Sequence, residues 1–298
     1  MLVMRLKCGL GNQMFQYALG LRLANDRNVP FFYIDTDSCT EINRPFSLFN
    51  LCIIKANLMP PHVRSNVRIA RRLQRTSRFA HFAKLLPSFI NARMVKIINE
   101  KQFCFDSDIL KVSLPAYFDG YWQTEKYFIP VADLVRKHFQ LVKPMTESRL
   151  LTAKLIGETE GCAISIHVRR GDYVASGEVE AFHGTCSPEY YECAMTKIAK
   201  ILKHPYFFVF SDDPRWVRAN LSKKWPILFV DPQNDKRDFE DMHLMALCNH
   251  HIIANSSFSW WGAWLNPSPY KRVIAPKKWF ANASHNTQDI VPNTWERM

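Results

Sequence analysis

The residues best suited to chemistry form the run His167-Val-Arg-Arg-Gly-Asp-Tyr173, which begins at the end of an apolar stretch predicted as a strand, Cys162–Val168. Adjacent arginines supply guanidinium groups that stay charged and bind phosphate oxygens in a bidentate manner. In an open parallel sheet, ligands bind just outside the carboxyl ends of the strands, which is where Arg169 and Arg170 would lie. A surface salt-bridge cluster is the alternative, but a buried strand end is a costly place for charges without a ligand. The run therefore predicts a site for a phosphate-bearing ligand.

A glycine-containing turn near the N-terminus is the second candidate. The run Gly9-Leu-Gly-Asn-Gln13 lies between a predicted strand and a predicted helix. Glycines let a ligand approach the backbone, and a helix N-terminus offers free N–H groups. The run is not a dinucleotide-binding fingerprint, because Met14 stands in the place of the third glycine and no acidic residue follows at the expected distance. It is equally consistent with a ligand contact and with a plain strand-to-helix connection.

Hydroxyl groups at a predicted helix start are the third candidate. The run Asn255-Ser-Ser-Phe258 directly follows the predicted strand His251–Ala254. Ser256 and Ser257 could cap the helix, or they could hydrogen-bond a phosphate while the helix dipole favours its charge. Both interpretations stay open from the residues alone.

Two acidic groups also have two interpretations each. Asp241, in the first turn of a predicted helix, either forms a capping arrangement with Asp238 or accepts hydrogen bonds from a base or ribose. The run Ser211-Asp-Asp-Pro214 ends a predicted strand and starts a helix, so it either caps that helix or lines the ligand site.

The sequence predicts no metal site. Asp35-Thr-Asp37 matches a D-x-D pattern that holds a metal ion in many enzymes, but it follows only the second predicted strand, before most of a nucleotide pocket exists. The eight cysteines form no C-x-x-C pair, which argues against zinc. Several lie in apolar runs, as expected of reduced, partly buried thiols in a cytosolic protein.

Predicted strands and helices alternate along most of the chain. The first half is predicted to contain strands at 2–7, 30–34 and 115–118 and helices at 13–25, 60–86 and 125–139. The second half is predicted to contain strands at 162–168, 206–210, 227–230, 251–254 and 272–275, with helices at 188–202, 214–221, 238–248 and 257–265. This alternation predicts parallel sheets covered by helices. The break between the halves is predicted near residues 140–160.

The formal net charge of +12 attracts anions without identifying them, so nucleic acid, an acidic membrane surface and a phosphate-bearing substrate all fit. Part of the excess recurs at helical spacing on one face of the predicted helix at 60–86: Arg64, Arg68, Arg71, Arg72, Arg75 and Arg78. That face is either solvated or weakly attracted to anionic lipid. No apolar run reaches the about 18 residues of a membrane helix, and the N-terminus does not resemble a signal peptide. A cytoplasmic protein is expected, with peripheral association at the inner membrane surface as an option.

Taken together, these runs resemble the α-1,2-fucosyltransferases of glycosyltransferase family 11. The likeness extends along nearly the whole chain and includes Gly9-Leu-Gly-Asn-Gln-Met-Phe-Gln-Tyr-Ala18, the run at 167–173, His183-Gly-Thr-Cys-Ser-Pro-Glu-Tyr-Tyr191, Phe210-Ser-Asp-Asp213 and Asn255-Ser-Ser-Phe-Ser-Trp-Trp-Gly-Ala-Trp264. The combination is highly specific. Cys8 stands where a glycine is common in the family, a departure expected to matter little because Gly9 and Gly11 remain.

The resemblance implies an α/β fold of GT-B-like type, in which two Rossmann-like domains with parallel sheets face each other across a cleft. It implies a galactoside 2-α-L-fucosyltransferase, which moves L-fucose from GDP-β-L-fucose to the 2-hydroxyl of a terminal β-galactoside with inversion and requires no metal or other cofactor. Residues 1–155 are expected to form an acceptor-binding domain and residues 156–298 the GDP-fucose-binding domain. The expected partners are GDP-fucose and a galactose-terminated oligosaccharide or glycolipid, with no nucleic acid.

The resemblance also implies roles for individual residues. Donor binding is expected of Gly9, Gly11, Asn12, Gln13, His167, Arg169, Arg170, Asp241, Asn255, Ser256, Ser257 and Phe258. Inversion needs a base for the attacking hydroxyl, and Asp172 is the first choice because it follows the arginines on the loop expected to face the reacting carbon. Asp172 could instead orient the arginines. His183, Glu178 and Glu180 are the other candidates, so the expected catalytic set is Asp172, Arg169 and His183.

Two other classes of protein fit part of the sequence. A basic nucleic-acid-binding protein fits the charge and the arginine face, but the candidate residues cluster at strand ends and no nucleic-acid-binding signature is present. A nicotinamide-dependent oxidoreductase fits the Rossmann-like halves but not the imperfect glycine run. The acceptor stays open among lactose, lacto-N-biose, N-acetyllactosamine and an O-antigen precursor.

Overall fold

The computed structural model describes residues 1–41, 46–75, 95–171, 181–232, 237–282 and 285–298. The chain divides into two units, Met1–Gln140 and Leu141–Met298, called the N-terminal and C-terminal domains below. Each domain contains one sheet, and every strand pair in the described residues is parallel. Among these residues no helix has both the length and the apolar character needed to span a bilayer.

The N-terminal domain is built on five short strands. They are β1 (Leu2–Arg5), β2 (Phe32–Asp35), β3 (Ala56–Leu58), β4 (Lys96–Asn99) and β5 (Ala116–Asp119), in the sheet order β3-β2-β1-β5-β4. The helices are α1 (Leu10–Asp26), α2 (Asp37–Glu41), α3 (Pro61–Arg75) and α4 (Ala132–His138), with 3-10 turns at Leu48–Asn50, Ser107–Lys111, Glu125–Tyr127 and Ile129–Val131. The apolar residues of the central strand β1 and of α1 are buried and form the core.

The C-terminal domain follows the predicted alternation closely. Its strands are β6 (Cys162–Val168), β7 (Pro205–Ser211), β8 (Ile227–Val230), β9 (His250–Ile252), β10 (Val273–Ala275) and β11 (Glu296–Arg297), in the sheet order β11-β10-β9-β6-β7-β8. The helices are α5 (Glu147–Gly157), α6 (Pro188–Ile201), α7 (Pro214–Asn220), α8 (Asp238–Leu247) and α9 (Ser257–Leu265). The core gathers Ile164, Ile166 and Val168 of β6 against Tyr191 and Ile198 of α6.

The domain boundary falls earlier than the predicted residue 155. Helix α5 belongs to the C-terminal domain because it is anchored to α8. Thr146 donates to the buried carboxylate of Glu240 from its backbone N–H at 3.0 Å and from its hydroxyl at 2.9 Å. Arg149 lies 2.7 Å from Asp241. The polar stretch after Gly157 ends a helix of the C-terminal domain and does not separate the domains.

The middle of the chain departs from prediction where prolines and short strands are involved. The helix predicted over 125–139 is two 3-10 turns followed by α4. Pro130 lies in the second turn and lacks the N–H that a continuous α-helix would use. The strands β3 and β4 were not predicted; both lie at the edges of the sheet and have no fully buried residue, so neither stands out as a buried apolar run.

Helix α3 carries part of the predicted arginine face, and two of its arginines are engaged inside the domain. Arg71 lies 2.8 Å from Asp119 and 4.6 Å from the ring centroid of Tyr117. Arg64 lies 3.1 Å from Asp37. The prediction of one solvated face is therefore wrong for these two of the six arginines, because Asp119 at the end of β5 and Asp37 at the start of α2 pair with them.

The remaining arginines of the face have different surroundings. Arg68 and Arg72 are exposed. The side chain of Arg75 and the whole of Arg78 lie outside the described residues. Attraction to anionic lipid stays a prediction, which now rests on Arg68 and Arg72.

Candidate functional site

The carboxyl end of β6 lies where the order of strands reverses in the C-terminal sheet. From β6 the chain continues to β7 and β8 on one side, whereas β9 pairs with the other side of β6. Ile166 faces Ile252 of β9, and Val168 faces Ser211 of β7. The polar runs that follow these three strands therefore emerge side by side, at the place where open parallel sheets bind ligands.

Arg169 and Arg170 are held by the aspartates that follow β7. Arg169 Nη1 lies 3.1 Å from Asp212 Oδ2, and the backbone N–H of Arg170 donates to Asp212 Oδ1 at 2.9 Å. Arg170 Nε lies 3.7 Å from Asp213 Oδ2, and its guanidinium lies 4.3 Å from the ring centroid of Trp216. The two arginine side chains are 23% and 20% exposed. Each guanidinium carries five N–H donors in a planar fork, a geometry that suits a phosphate as well as a carboxylate.

The two interpretations of the run Ser211–Pro214 apply to different residues. Asp213 caps α7, because its carboxylate accepts the backbone N–H of Trp216 at 3.0 Å. Asp212 lines the candidate site. A side chain at Gly171 would place its Cβ 3.1 Å from Asp212 Oδ2, so the glycine lets the loop approach this carboxylate closely.

His167 is a buried neutral imidazole at the end of β6. It is 4% exposed, and burial, with the charge of Arg169 as a smaller cause, lowers its pKa to about 3. Its ring centroid lies 5.3 Å from that of Phe258. Its Nδ1 is buried and has no hydrogen-bond partner among the described residues. The contact brings the segments after β6 and β9 together.

Asn255 ties two segments of the C-terminal domain, residues 183–186 and Trp279, to the end of β9. Its Nδ2 donates to the carbonyl oxygens of His183 at 2.9 Å, Gly184 at 3.2 Å and Trp279 at 3.2 Å. Its Oδ1 accepts from Cys186 Sγ at 3.7 Å. These contacts give Asn255 a structural role, and its direct contact with a donor substrate stays a prediction.

The N-terminus of α9 lies at the same edge of the sheet. Ser256 is the cap, and its Oγ accepts the backbone N–H of Phe258 at 3.3 Å. Ser257 is the first helical residue and is half-buried. Helix capping therefore accounts for the Ser256 hydroxyl without a ligand. The free N–H groups and the helix dipole add positive potential where an anion bound by the arginines would lie.

The tryptophans that follow in this motif are structural. Trp260 and Trp264 stack with ring centroids 6.1 Å apart, and Trp260 Nε1 donates to the carbonyl of Ile290 at 2.7 Å. A Cβ at Gly262 would lie 2.8 Å from Met245 Cε, so this glycine allows α8 and α9 to pack closely. The aromatic half of the motif therefore fixes α9 in the domain, and a ligand contact of its N-terminus stays a prediction.

Asp241 pairs with an arginine that the sequence did not single out. Arg149 Nε lies 2.7 Å from Asp241 Oδ1, yet neither atom has an aligned hydrogen-bond partner among the described residues, so the contact is an ion pair. Burial, followed by the charges of Asp238 and Glu240, raises the pKa of Asp241 to about 7, while Arg149 lowers it. The ion pair accounts for Asp241 within the domain, and its contact with a donor substrate stays a prediction.

The glycine-containing run of the N-terminal domain starts α1, with Gly9 as its cap and Gly11 buried in its first turn. Gly9 has a φ of −71°, which any residue can adopt. Cys8 has a φ of 64°, in the left-handed region that favours glycine. Cys8 therefore occupies a position of the turn that favours glycine, and the expectation that this departure matters little stays a prediction.

Asn12 and Gln13 hold the turn together. Gln13 is fully buried, donates to the carbonyl of Cys8 at 2.8 Å and accepts the backbone N–H of Ser47 at 3.0 Å. Asn12 Oδ1 accepts from Gln123 Nε2 at 2.6 Å. These bonds account for both residues without a ligand, so their contact with a donor substrate stays a prediction.

The D-x-D pattern is built into the N-terminal domain. Asp35 is 5% exposed and accepts the hydroxyl of Tyr117 at 2.6 Å and the backbone N–H of Asp37 at 3.2 Å. Among the described residues, no three His, Cys, Asp or Glu side chains come together to hold a metal. All eight cysteines fall in the described ranges and are free thiols. Metal independence stays a prediction.

Of the four candidate bases, only His183 lies in the described part of the chain. Asp172, Glu178 and Glu180 lie outside the described residues. His183 is half-buried, and its ring centroid lies 4.9 Å from that of Phe182 and 5.7 Å from that of Phe280. The contact of any of them with an acceptor hydroxyl stays a prediction.

Three contributors to the site escaped the sequence analysis. Asp212 was seen only as one member of an ambiguous run, and Trp216 and Arg149 were not considered. The available signal was the pairing of neighbouring strands: β6 and β7 follow each other in the sequence, so the aspartates after β7 belong beside the arginines after β6. Arg149 carried no such signal, because the helix that contains it was not predicted.

Comparison with known proteins identifies the family. The sequence matches Glycosyl transferase family 11 over residues 56–298. The chain belongs to this family. The resemblance noted in the sequence is confirmed, and the protein is a glycosyltransferase.

Two relatives are similar along nearly the whole chain, and a third is similar over about half of it. An alpha-1,2-colitosyltransferase of Escherichia coli is 31% identical over 99% of this chain and 98% of its own length. The O-antigen biosynthesis glycosyltransferase WbnK of Escherichia coli is 28% identical over 96% of this chain and 97% of its own. Galactoside alpha-(1,2)-fucosyltransferase 1 of Saimiri sciureus is 26% identical over 47% of this chain and 40% of its own.

Solved structures share the fold of this glycosyltransferase. Arabidopsis thaliana FUT1, solved as a mutant in complex with GDP, has a TM-score of 0.54 at 13% identity and covers 92% of this chain and 70% of its own. Fucosyltransferase NodZ from Bradyrhizobium has a TM-score of 0.50 at 18% identity and covers 89% of this chain and 92% of its own. The predicted fold class, two parallel-sheet α/β domains of GT-B-like type, is confirmed.

Proposed function

We propose that this glycosyltransferase moves L-fucose from GDP-β-L-fucose to the 2-hydroxyl of a terminal β-galactoside and forms an α-1,2 linkage. The observation that carries the proposal is the cluster of Arg169, Arg170 and the N-terminus of α9 at the strand reversal of the C-terminal sheet. Such a cluster is suited to a diphosphate. The names of the colitosyltransferase and galactoside fucosyltransferase relatives support the α-1,2 linkage.

The arginines act on the leaving group. The oxygen of the acceptor 2-hydroxyl attacks C1 of fucose, the bond from C1 to the β-phosphate oxygen breaks, and GDP leaves from the opposite face. Negative charge grows on the diphosphate during this step, and fixed positive groups lower its energy. Arg169 and Arg170 supply that charge under the proposal, with Asp212 as their positioning residue and without a metal ion.

A base removes the proton of the 2-hydroxyl as the new bond forms. Asp172 is the proposed base. It directly follows Gly171, the residue packed against Asp212. His183, Glu178 and Glu180 are the alternatives.

Asp241 is the proposed contact for the nucleoside. Guanine presents N–H donors, and a carboxylate accepts them as charge-assisted hydrogen bonds. The C-terminal domain is accordingly the proposed GDP-fucose-binding domain and the N-terminal domain the acceptor-binding one. The proposed location is the cytoplasm, where the eight free thiols would stay reduced.

Colitose is the second candidate for the transferred sugar. The full-length similarity to an alpha-1,2-colitosyltransferase favours it. Colitose is fucose without its 3-hydroxyl, so a site that hydrogen-bonds that hydroxyl would favour fucose, and a site that excludes it would favour colitose.

One experiment tests the donor and the linkage together. The purified protein is incubated with GDP-fucose or GDP-colitose and with lactose, lacto-N-biose or N-acetyllactosamine, and the product is located by NMR. A new α linkage to the galactose 2-position is expected with GDP-fucose. Transfer from GDP-colitose but not from GDP-fucose would make colitose the transferred sugar. Transfer to another position of galactose would overturn the proposed α-1,2 linkage.

A further inference from the structure

A cavity of about 360 Å³ lies inside the N-terminal domain, at the carboxyl ends of β4 and β5. Its volume is near the lower end of the about 300–1,000 Å³ range typical of small-molecule sites. The side chains that matter for recognition are Glu100, Gln102, Phe105, Asp106, Trp122 and Tyr127. The candidate donor residues of the C-terminal domain contribute nothing to this lining.

The wall of the cavity is held in a fixed conformation. The carboxylate of Glu100 accepts the backbone N–H groups of Tyr121 at 2.6 Å and Trp122 at 2.9 Å. Gly120 has no room for a side chain, because a Cβ there would lie 2.5 Å from Glu100 Cβ. Trp122 has a φ of 57°, a costly conformation for an aromatic residue, and such strain concentrates at ligand sites.

Aromatic rings form one side of the cavity. The ring centroid of Tyr127 lies 5.0 Å from that of Phe105 and 5.8 Å from that of Trp122. The indole nitrogen of Trp122 is buried and has no hydrogen-bond partner among the described residues. This unsatisfied donor, together with the positive φ, marks Trp122 as a strained residue of the cavity wall.

The charged groups of the cavity favour a neutral ligand. Glu100 and Asp106 contribute carboxylates, and the only cation in the described lining is the exposed Lys101. Carboxylates repel phosphate and carboxylate ligands but accept hydrogen bonds from hydroxyl groups. The half-buried ring of Phe105 beside these carboxylates suits a sugar, which packs a C–H face on the ring and donates its O–H groups to the carboxylates.

We propose that this cavity binds a neutral sugar residue of the acceptor. The inference rests on the proposed function, since it assumes that the glycosyltransferase acts on a saccharide. It assigns the acceptor contact to the segment 100–109 and to Trp122, which neither the family motifs nor the sequence analysis singled out.

Direct binding tests the proposal without requiring transfer. Saturation-transfer NMR is recorded for the protein with methyl β-D-galactoside, lactose and N-acetyllactosamine. Two variants change the cavity: Phe105→Ala removes a ring, and Ser107→Trp places bulk at the exposed part of the lining. Phe31→Ala is the matched control, because Phe31 is a 39% exposed aromatic of the same domain outside the cavity. Circular dichroism and Tm establish that each variant is folded.

The wild type and Phe31→Ala should bind at least one of these sugars. Phe105→Ala should weaken binding about 3- to 10-fold, the effect of one lost ring contact, and Ser107→Trp should abolish it. In transfer assays the acceptor KM should rise while GDP affinity is unchanged. Sugar binding that is unaltered in both cavity variants, or absent from the wild type, overturns the proposal.

The two proposals fail in different ways. If the wild type transfers fucose but both cavity variants keep the acceptor KM, the cavity assignment is wrong and the proposed function stands. If the wild type binds galactosides in the cavity but uses neither GDP-fucose nor GDP-colitose, the proposed reaction is wrong and the sugar site stands.

Discussion

Asp212 Oδ2 lies 3.1 Å from Arg169 Nη1, and the other oxygen of the same carboxylate accepts the backbone N–H of Arg170. One side chain from the end of β7 therefore orients two arginines at the end of β6. The pairing of these strands, which runs from Cys162 opposite Pro205 to Val168 opposite Ser211, keeps the distance between the two loops fixed. The proposed anion site is thus organised before a ligand arrives, which would strengthen its electrostatic effect.

The arginines should be required for turnover. Arg169→Ala and Arg170→Ala should each lower kcat about 30- to 1,000-fold, equivalent to about 2–4 kcal/mol of transition-state stabilisation. Arg218→Ala is the matched control for Arg170→Ala, because Arg218 also pairs with an aspartate, at 2.5 Å, and lies over a ring, at 5.0 Å. If both site variants turn over like the control, the donor diphosphate binds elsewhere.

The role of Asp172 can be separated by kinetics and calorimetry. As a base, Asp172→Asn should lose turnover but bind GDP with near-native affinity, because proton removal is not needed for binding. As an orienting residue, it should weaken GDP binding together with turnover. Asp212→Ala is the reference for the second pattern, since Asp212 contacts both arginines. Full activity of Asp172→Asn would leave His183, Glu178 and Glu180 as candidates.

Binding of GDP should depend on the protonation of Asp241. Burial raises the pKa of this carboxyl to about 7, so at lower pH its neutral form cannot offer a charged acceptor to guanine. GDP affinity should therefore fall as the pH drops below about 7. Removing the nearby cation with Arg149→Met should raise the pKa further and move the midpoint to higher pH.

Calorimetry between pH 5.5 and 8.5 (roughly one and a half units to either side of the Asp241 pKa) measures this dependence. Asp241→Asn is the control, because any pH dependence that it retains belongs to the phosphate of GDP or to other groups. Identical profiles for the wild type and Asp241→Asn would remove Asp241 from the nucleoside contact.

Activity should survive EDTA, because the proposed charge neutralisation comes from arginines. Asp37→Ala should be nearly silent, since its pair with Arg64 is 39% exposed on both sides. Asp35→Ala, by contrast, should destabilise the domain by about 1–3 kcal/mol, because it removes the acceptor of the buried Tyr117 hydroxyl. Chemical denaturation measures the latter. Loss of activity with EDTA that manganese restores would establish a metal requirement.

Replacing Cys8 should reveal the backbone strain of the first turn. Cys8→Gly should be more stable than Cys8→Ala by about 1 kcal/mol, because only glycine adopts a φ of 64° without a steric cost. Both variants lose the contact of the thiol with Tyr121 at 3.5 Å, so their difference isolates the backbone effect. Equal free energies of unfolding would contradict the left-handed conformation at this position.

The sequence predicted the C-terminal domain far better than the N-terminal one. In the C-terminal domain, apolar strands such as Cys162–Val168 alternate with helices whose caps and prolines are visible in the sequence, as at Ser187 and Pro188. In the N-terminal domain, the edge strands β3 and β4 have no fully buried residue and so no clear apolar run, and α3 was predicted without the contact of Arg71 with Asp119. Such a contact links residues far apart in the chain, which local patterns cannot indicate.

The candidate site, like the fold, could be predicted only in part from the sequence. Arg169 and Arg170 were found because their chemistry and their place after a strand point to one ligand class. Asp212 needed the strand order, and the ion pair of Arg149 with Asp241 needed the packing of α5 on α8. Residue type predicts what a side chain can bind, but the partner that holds it depends on the tertiary fold.

The uneven distribution of tryptophans between the two domains, with Trp260 and its neighbours in the C-terminal one, has a spectroscopic consequence. Of the eight tryptophans, only Trp122 belongs to the N-terminal domain. Tryptophan fluorescence of the wild type is therefore dominated by emission from the C-terminal domain. In Trp122→Phe, tryptophan emission would come from that domain alone. The difference between the two emission curves during denaturation would follow the N-terminal domain through a single fluorophore, and that fluorophore lines the proposed sugar cavity.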